Sequence, residues 1–297
     1  MSEPTLIQPV LSGPALLADI AAARPAPGQL FVWWLGQSGY AFKTAAATFY
    51  VDLYLSEHLT AKYADSEKPH IRMMAAPLRG HELVDARYVF ASHKHSDHLD
   101  PGTLPDLMAA SPEARLILPL ALVDYAVEAL GLERTRLLPM HGDDRLELDG
   151  LTVHAVPSAH PDLDEDPWAG CPYLGYVFTS GGVTFYHSGD TVIYAGLRER
   201  LQTLHPQIVF LPINGTDERR SALQVPPNMS ADDAIALARE LGGPLLVPHH
   251  YDMFTFNTLP IDQFITKVEA AGQPYRILRA GERTVLAPSA DSLDNCV

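Results

Sequence analysis

The chain alternates short apolar runs with amphipathic segments and polar turns, which predicts strands and helices in succession. Apolar runs bounded by turn residues predict strands at 30–35, 40–43, 48–52, 88–91, 115–118, 136–138, 146–148, 151–156, 173–179, 183–187, 208–212, 245–247, 276–278 and 284–286. Helical spacing of apolar residues predicts helices at 14–24, 101–110, 120–130, 193–201, 230–241 and 261–271. This alternation favours a sheet covered by helices.

Histidines and a carboxylate are concentrated directly after the predicted strand 88–91. His93, His95, Asp97 and His98 fall within six residues. Alternate side chains of an extended backbone share a face, so His93 and His95 can bind one ion, while Asp97 and His98 can serve a second. Neutral imidazole and carboxylate suit Zn²⁺ or Mn²⁺. A histidine-rich surface loop is the alternative, and the density of ligands favours the metal site.

Composition narrows the class of protein. The 297 residues are 47% hydrophobic and show no linker, repeat or low-complexity tract, which favours one domain over 1–297. A net charge of −15 disfavours nucleic acid as a partner. No apolar run is long enough for a membrane span, and no secretory signal is visible. Cys171 and Cys296 lie far apart and suggest no disulfide framework. We expect a cytoplasmic enzyme with a small-molecule substrate, and a homo-oligomer is one option for its assembly.

The stretch ASHKHSDHLDP at 91–101 resembles the signature loop of the metallo-β-lactamase superfamily. The segments WLG at 34–36, YVD at 50–52, YHSGD at 186–190 and VPHH at 247–250 follow in the order of that family. The YHSGD string, NMSAD at 228–232 and PHHYD at 248–252 most resemble the L-ascorbate-6-phosphate lactonase-like branch. The resemblance implies an α+β fold, the αββα sandwich, with two mixed sheets face to face and helices outside.

The resemblance also implies a ligand set for two divalent ions, Mn²⁺ or Zn²⁺. The first ion would be bound by His93, His95 and His160, the second by Asp97, His98 and His250, and Asp190 would bridge them. His160 is preferred to His154, which lies inside a predicted strand. His250 is preferred to His249, which stays a candidate for the pocket. Asp52 resembles the carboxylate that orients a metal-binding imidazole in this family.

The implied activity is hydrolysis of a lactone or small ester, of a sugar-lactone type that includes L-ascorbate 6-phosphate. A hydroxide bridging the two ions would attack, and Asp97 would hold or relay the proton. Position 95 is histidine, whereas diiron oxygen-reducing members usually have glutamate there, which favours hydrolysis. The alternatives are a phosphodiesterase for nucleotides, disfavoured by the acidic charge, and a non-catalytic metal-binding protein, disfavoured by the complete ligand set.

Two segments concern substrate recognition. The segment 55–82 often borders the pocket in this superfamily, and a surface or packing role is expected for its histidines, His58, His70 and His81. The loop 161–170 carries four acidic residues, Asp162, Asp164, Glu165 and Asp166, which would repel a phosphate group. The candidate compensating cations are Arg72, Arg219 and Arg220. We therefore expect that phosphate is not essential for recognition.

Overall fold

The first of two sheets contains the N-terminal strands. A computed structural model describes residues 6–287 of the chain. The strands of this sheet are β1 (Leu30–Gly36), β2 (Gly39–Lys43), β3 (Thr48–Val51), β4 (Tyr88–Phe90), β5 (Arg115–Pro119), β6 (Leu137–Met140) and, from the far end of the chain, β13 (Arg283–Leu286). Their order is β13-β1-β2-β3-β4-β5-β6. Pairing is antiparallel from β13 to β3 and parallel from β3 to β6, so the sheet is mixed.

The second sheet takes the central and later strands. These are β7 (Arg145–Leu148), β8 (Leu151–Pro157), β9 (Leu174–Ser180), β10 (Val183–His187), β11 (Ile208–Pro212) and β12 (Leu245–His249). The order is β12-β11-β10-β9-β8-β7. Strands β7 to β10 form antiparallel hairpins, whereas β10, β11 and β12 run parallel. Since β8 and β10 are both antiparallel to β9, the carboxyl ends of β8, β10, β11 and β12 meet at one edge.

Eight α-helices lie between residues 6 and 287. They are α1 (Gly13–Ala22), α2 (His58–Lys62), α3 (Leu104–Ala110), α4 (Val123–Glu128), α5 (Leu197–Leu204), α6 (Glu218–Ala222), α7 (Ala231–Glu240) and α8 (Ile261–Ala270). Apolar residues of α1, α3 and α4 pack on the outer face of the first sheet. Those of α5, α7 and α8 belong to the core of the second. Helix α7 begins with a capping box in which Ser230 and Asp233 satisfy each other's backbone amides.

The inner faces of the two sheets meet in an aromatic core. Phe42 and Phe49 of the first sheet contact Phe185 and Phe178 of the second, with ring centroids 5.0 Å and 4.9 Å apart. Phe90, at the end of β4, lies 5.4 Å from Tyr176. Successive residues of a strand point to opposite faces, so β1 sends Val32 and Trp34 into this core and Trp33 and Leu35 towards the helices. The predicted αββα sandwich is confirmed.

Some predicted boundaries are wrong. The predicted strand 276–278 does not form, because the edge position beside β1 is taken by β13 and the segment pairs only through a bridge between Tyr275 and Leu246. The predicted helix 193–201 starts instead at Leu197, after Gly196 turns the chain with φ +98°. Helices α2 and α6 were not predicted. Cys296 lies outside the described residues. Between residues 6 and 287, no helix has the length and apolarity needed to span a bilayer.

Candidate metal centre

All seven predicted ligands follow strand ends at one edge of the sandwich. His93, His95, Asp97 and His98 occupy the loop after β4 of the first sheet. The other three residues follow β8, β10 and β12 of the second sheet, namely His160, Asp190 and His250. Polar side chains from both sheets therefore converge where the carboxyl ends of these strands meet.

Four of these side chains form a first group. His93, His95, His160 and Asp190 each offer one donor atom, and these atoms all lie within 4.8 Å of one another. Nε2 of His93 is 3.0 Å from Nδ1 of His95. Nε2 of His160 is 3.9 Å from Oδ2 of Asp190. Three imidazoles and a carboxylate around one point form a donor set that suits a divalent transition metal.

Asp97, His98 and His250 form a second group with the same spread of donor atoms. Oδ2 of Asp97 is 3.7 Å from Nε2 of His98 and 3.8 Å from Nε2 of His250. Asp190 lies between the groups, with Oδ1 3.3 Å from Nε2 of His98 and Oδ2 3.3 Å from Nε2 of His250. One carboxylate can therefore contact an ion in each group.

Polar atoms at the centre lack hydrogen-bond partners, which fits a cation. Nε2 of His98, Oδ1 of Asp190 and Nδ1 of His250 are buried without a partner among the described residues. An unpaired buried polar atom costs about 1–3 kcal/mol. A divalent ion coordinated by His98 and Asp190 would remove that cost at those two atoms.

The charges at the centre also favour a bound cation. Burial lowers the pKa of His160 to about 4, so its imidazole is neutral and keeps a lone pair for coordination. Burial also lowers the pKa of His98, but the Asp190, Asp52 and Asp97 carboxylates outweigh it and raise that pKa well above its ordinary value. In the absence of a metal ion, His98 thus carries the positive charge that these three carboxylates require. Cations are favoured here.

Asp52 orients one of the candidate ligands. It directly follows β3, is fully buried, and its Oδ2 lies 2.7 Å from Nδ1 of His98. The backbone amide and the hydroxyl of Ser92 also donate to Asp52, each at 2.7 Å. A hydrogen bond from Nδ1–H leaves the lone pair on Nε2, which is the nitrogen that faces Asp97 and Asp190.

His249 lies behind the centre rather than in it. Its ring is buried, with Nδ1 2.9 Å from the Ser38 hydroxyl and Nε2 3.3 Å from the Ser188 hydroxyl. The ring also stacks on that of His187, with parallel planes and centroids 5.1 Å apart. Both nitrogens of His249 are engaged in this packing, so the residue supports the loop that carries its neighbour His250.

Two residues beside the centre were not predicted. Nε2 of Gln37 donates to Oδ2 of Asp97 at 2.8 Å and lies 3.0 Å from Nε2 of His250. The Tyr173 ring lies against the first group, 5.3 Å from the ring of His93 and 5.6 Å from that of His160. Only a weak signal in the sequence marks Gln37, which is a polar residue between two apolar strands. Tyr173 looked like an ordinary strand residue.

The backbone adopts left-handed conformations around the centre. Gln37, Asp52 and His250 have φ values of +52°, +48° and +65°, in a region that costs non-glycine residues energy. At Gly189, which precedes Asp190, φ is +57° and an added Cβ would lie 2.6 Å from Cβ of Ser92. Only glycine fits there. Such strain is typical of functional sites, where surrounding contacts hold side chains in one orientation.

The three candidate cations lie in different surroundings. Arg72 is buried and donates to the carbonyl oxygens of Ser56 and Met74. Arg220 is also buried and is bonded by Asp217, Asn257 and the carbonyl oxygen of Asn214. Arg219 is exposed and lies over the ring of Phe256. Of the three, Arg219 alone is directed to solvent.

The acidic loop 161–170 joins the first group of ligands directly. The carbonyl oxygen of Asp162 accepts from the backbone amide of His160, and a bridge between Asp166 and Gly170 closes the loop. Burial raises the pKa of Tyr173, and the charges of Asp164 and Asp190 act in the same direction. The phenol of Tyr173, which lies between the loop and the centre, is therefore protonated.

Comparison with known protein families matches residues 66–251 to the beta-lactamase superfamily domain, and this range is more than half of the chain. The chain belongs to the β-lactamase superfamily. The match includes all seven candidate ligands. It ends one residue beyond His250. The more specific likeness to the ascorbate-phosphate lactonases is not part of this match.

Related hydrolases align with most of this chain. A metal-dependent hydrolase of Methanoculleus marisnigri is 27% identical over 184 residues, which is 61% of this chain and 73% of the relative. One of Carboxydothermus hydrogenoformans is 24% identical over 258 residues, or 86% and 99%. Among solved structures, the metallo-beta-lactamase fold protein YhfI from Bacillus subtilis is similar with a TM-score of 0.61 and 15% identity. That likeness covers 87% of this chain and all of YhfI, and it supports the fold.

Proposed function

We propose that this protein is a metal-dependent hydrolase with two divalent ions, and that it opens a lactone or a small ester. The observation that carries the proposal is the pair of donor groups that share Asp190. His93, His95 and His160 would hold the first ion, and Asp97, His98 and His250 the second. Their imidazole and carboxylate donors suit Mn²⁺ or Zn²⁺.

The division of labour follows from the donor set. When bound, two such ions supply Lewis acidity that polarises a carbonyl group and lets a water molecule lose its proton near neutral pH. Asp97 is the residue of the second group that reaches the surface, with 13% of its side chain exposed. Burial raises the pKa of Asp97, but the His98 and His250 imidazoles lower it by a larger amount, so the net shift is downward. Asp97 is therefore ionised and can accept a proton at a carboxylate oxygen.

Gln37 and Asp52 set the orientation of these groups. The Gln37 amide donates to Oδ2 of Asp97, which leaves the other carboxylate oxygen free to take the proton. Asp52 fixes the His98 ring through Nδ1. Histidine at position 95 adds a neutral nitrogen ligand where a diiron oxygen-reducing relative would have a carboxylate. This ligand choice favours hydrolysis over redox chemistry.

The substrate within this class is proposed on the sequence resemblance to the ascorbate-phosphate lactonases. A sugar-derived lactone fits the likeness of the segments around Tyr186 and Pro248. Arg220 is buried and occupied by internal hydrogen bonds, and Arg72 is buried with only its Nη2 unpaired among residues 6–287, so neither guanidinium is exposed to bind a phosphate group of such a lactone. We therefore keep the lactone as the reacting group and assign no role to these two arginines in binding it.

The test combines metal analysis with turnover. Protein purified without chelator is expected to hold two divalent ions per chain, and to hydrolyse sugar lactones or small esters in Mn²⁺ or Zn²⁺ at least a hundredfold faster than bis-p-nitrophenyl phosphate. A preference for the phosphodiester would establish the phosphodiesterase alternative instead. Two bound ions without turnover of either class would establish a metal-binding protein.

A pair of histidines on one strand and its exit loop provides the matched variants. His160→Gln removes a candidate ligand, and we expect it to lower turnover at least a hundredfold and to reduce the metal content. His154→Gln changes a histidine within β8 that lies outside both donor groups, so we expect turnover within about twofold of wild type. Equal effects of the two substitutions would contradict the assignment of His160.

A further inference from the structure

A row of aromatic rings with a cation at each end lies beside the second donor group. The ring of Tyr63 stacks on that of His70 at 4.6 Å, and His70 lies 5.7 Å from the ring of Phe256. Nζ of Lys62 is 5.3 Å from the centroid of Tyr63, and Cζ of Arg219 is 5.3 Å from that of Phe256. We call these five side chains the aromatic ledge.

The ledge is fixed in place by backbone pairing. The amide of Met73 donates to the carbonyl oxygen of Met253, and the amide of Thr255 donates to that of Ile71. The segment 71–73, which follows His70, is thereby joined to the segment 253–255, which follows the candidate ligand His250. Below the ledge, the ring of Phe254 supports His70 at 5.0 Å. A hydrogen bond between Nδ1 of His70 and the carbonyl oxygen of Lys68 fixes the imidazole ring.

Backbone pairing places the ledge beside the second donor group. Segment 71–73, which follows His70, pairs with segment 253–255, which follows His250, and Cε of Met253 occupies the space where a Cβ would stand on Gly36, the neighbour of Gln37. The charges agree with this placement: burial lowers the pKa of His70, while the Asp97 carboxylate raises it. The ledge thus borders the centre along one side. The acidic loop 161–170 borders it at His160.

The two cations of the ledge are free to bind a ligand. Lys62 and Arg219 are exposed, and neither forms a side-chain hydrogen bond or ion pair with any of residues 6–287. Most arginines of the described chain instead contact carboxylates or carbonyl oxygens, as Arg72 and Arg220 do. An exposed cation held over an aromatic face leaves its remaining N–H groups directed to solvent. An anion arriving at the centre is attracted to this side and repelled by the acidic loop.

We infer that the aromatic ledge binds the non-reacting part of the substrate, and that this part is a flat apolar group joined to an anionic group. Tyr63, His70 and Phe256 are half-buried, and the exposed parts of their rings offer apolar contact to the flat group. Lys62 or Arg219 pairs with the anion. This inference rests on the proposed function, because the ledge serves the same centre and extends the description of its substrate.

The experiment measures binding without turnover, by titration calorimetry of the purified metal-loaded protein. Three probes separate the two requirements: benzenesulfonate has the ring and the anion, benzamide the ring alone, and methanesulfonate the anion alone. We expect benzenesulfonate to bind at least tenfold more tightly than either of the others. Benzamidinium, which carries the opposite charge, is expected to bind more weakly than benzamide.

Variants locate the binding to the ledge. Lys62→Gln combined with Arg219→Gln changes two exposed side chains, and we expect it to reduce the preference for benzenesulfonate over benzamide to less than twofold. Tyr63→Leu combined with Phe256→Leu should do the same to the preference over methanesulfonate. The control is Arg283→Gln, since Arg283 lies over the ring of Phe31 on β1, far along the chain from the ledge. It should keep the wild-type affinities.

These experiments distinguish failure of the ledge as a binding site from failure of the proposed hydrolysis. If benzenesulfonate binds no more tightly than benzamide, or keeps its preference in the Lys62/Arg219 variant, the ledge is not the site and the inference is overturned. Hydrolysis of esters would then still stand. If the preference is present and is lost in that variant but no lactone or ester is hydrolysed, the ledge is supported and the proposed reaction fails.

Discussion

Replacement of Asp52 by asparagine should weaken metal binding without changing the shape of the site. Three buried donors meet this carboxylate: the Ser92 amide at Oδ1, and the Ser92 hydroxyl and His98 Nδ1 at Oδ2, each at 2.7 Å. Asparagine has one acceptor oxygen. If that oxygen faces the Ser92 amide, its own NH₂ group faces His98, and Nδ1 must become the acceptor. The proton then moves to Nε2, where the lone pair for the metal ion should be.

The size of the effect follows from this geometry. Loss of a residue that orients a metal-binding histidine typically costs 10–100-fold in metal affinity, or about 1.4–2.7 kcal/mol. If the amide flips instead, its NH₂ group meets the Ser92 N–H in a buried site, which costs about 1–3 kcal/mol of folding stability. We expect Asp52→Asn to show weaker metal binding in competition with a chromophoric chelator, and a lower free energy of unfolding in urea.

Asp100 provides the matched control. It is equally buried and accepts hydrogen bonds from the Ser56 hydroxyl, the Gly102 amide and the Thr103 hydroxyl, but it contacts no imidazole. Asp100→Asn should lose stability in the same range and keep its metal affinity within about twofold. The reasoning is refuted if Asp52→Asn binds metal as tightly as wild type, or if Asp100→Asn weakens binding equally.

Three further substitutions test the centre. Asp190→Ala should fold, since the aromatic core lies elsewhere, but should lose at least a hundredfold in turnover; near-wild-type turnover would show that another carboxylate bridges the ions. Gly189→Ala should lose about 1–3 kcal/mol in a denaturant titration because of its positive φ and the Ser92 contact; an unchanged midpoint would contradict that strain. Burial lowers the pKa of His160 to about 4, against 6.5 in the unfolded chain. In the metal-free protein this difference contributes stability that is complete above pH 6.5 and is lost as the pH falls towards 4. His160→Gln should make the fall in unfolding free energy over that interval shallower by up to about 1.4 kcal/mol per pH unit, and a slope equal to wild type would count against the lowered pKa.

The fold could be predicted where the sequence pattern is local. Alternation in strands such as β8, the capping box at Ser230, and the histidine cluster after β4 are set by neighbouring residues. The edge strand β13 pairs with β1 from the opposite end of the chain. Nothing local distinguishes it from the segment 276–278, which was predicted as a strand and is not one.

The supporting parts of the centre could not be predicted for the same reason. Gln37 reaches Asp97 and His250 across 60 and 213 residues of chain. The aromatic ledge likewise depends on the pairing of segments 71–73 and 253–255, which leaves no periodic pattern in either. The sequence shows that His70 and Arg219 are present, but only packing brings both of them against the ring of Phe256.

The seven candidate ligands come from both sheets, four from the loop after β4 and three from the second sheet. Ions bound there would act as non-covalent crosslinks across one end of the sandwich. An ion that binds only the folded chain stabilises it by about 1.4 kcal/mol for each tenfold rise in its free concentration above the dissociation constant. Adhesion between the two sheets, and with it the temperature at which they separate, would then follow the supply of metal in the surroundings. The midpoint of thermal unfolding should rise with the logarithm of free Mn²⁺ or Zn²⁺.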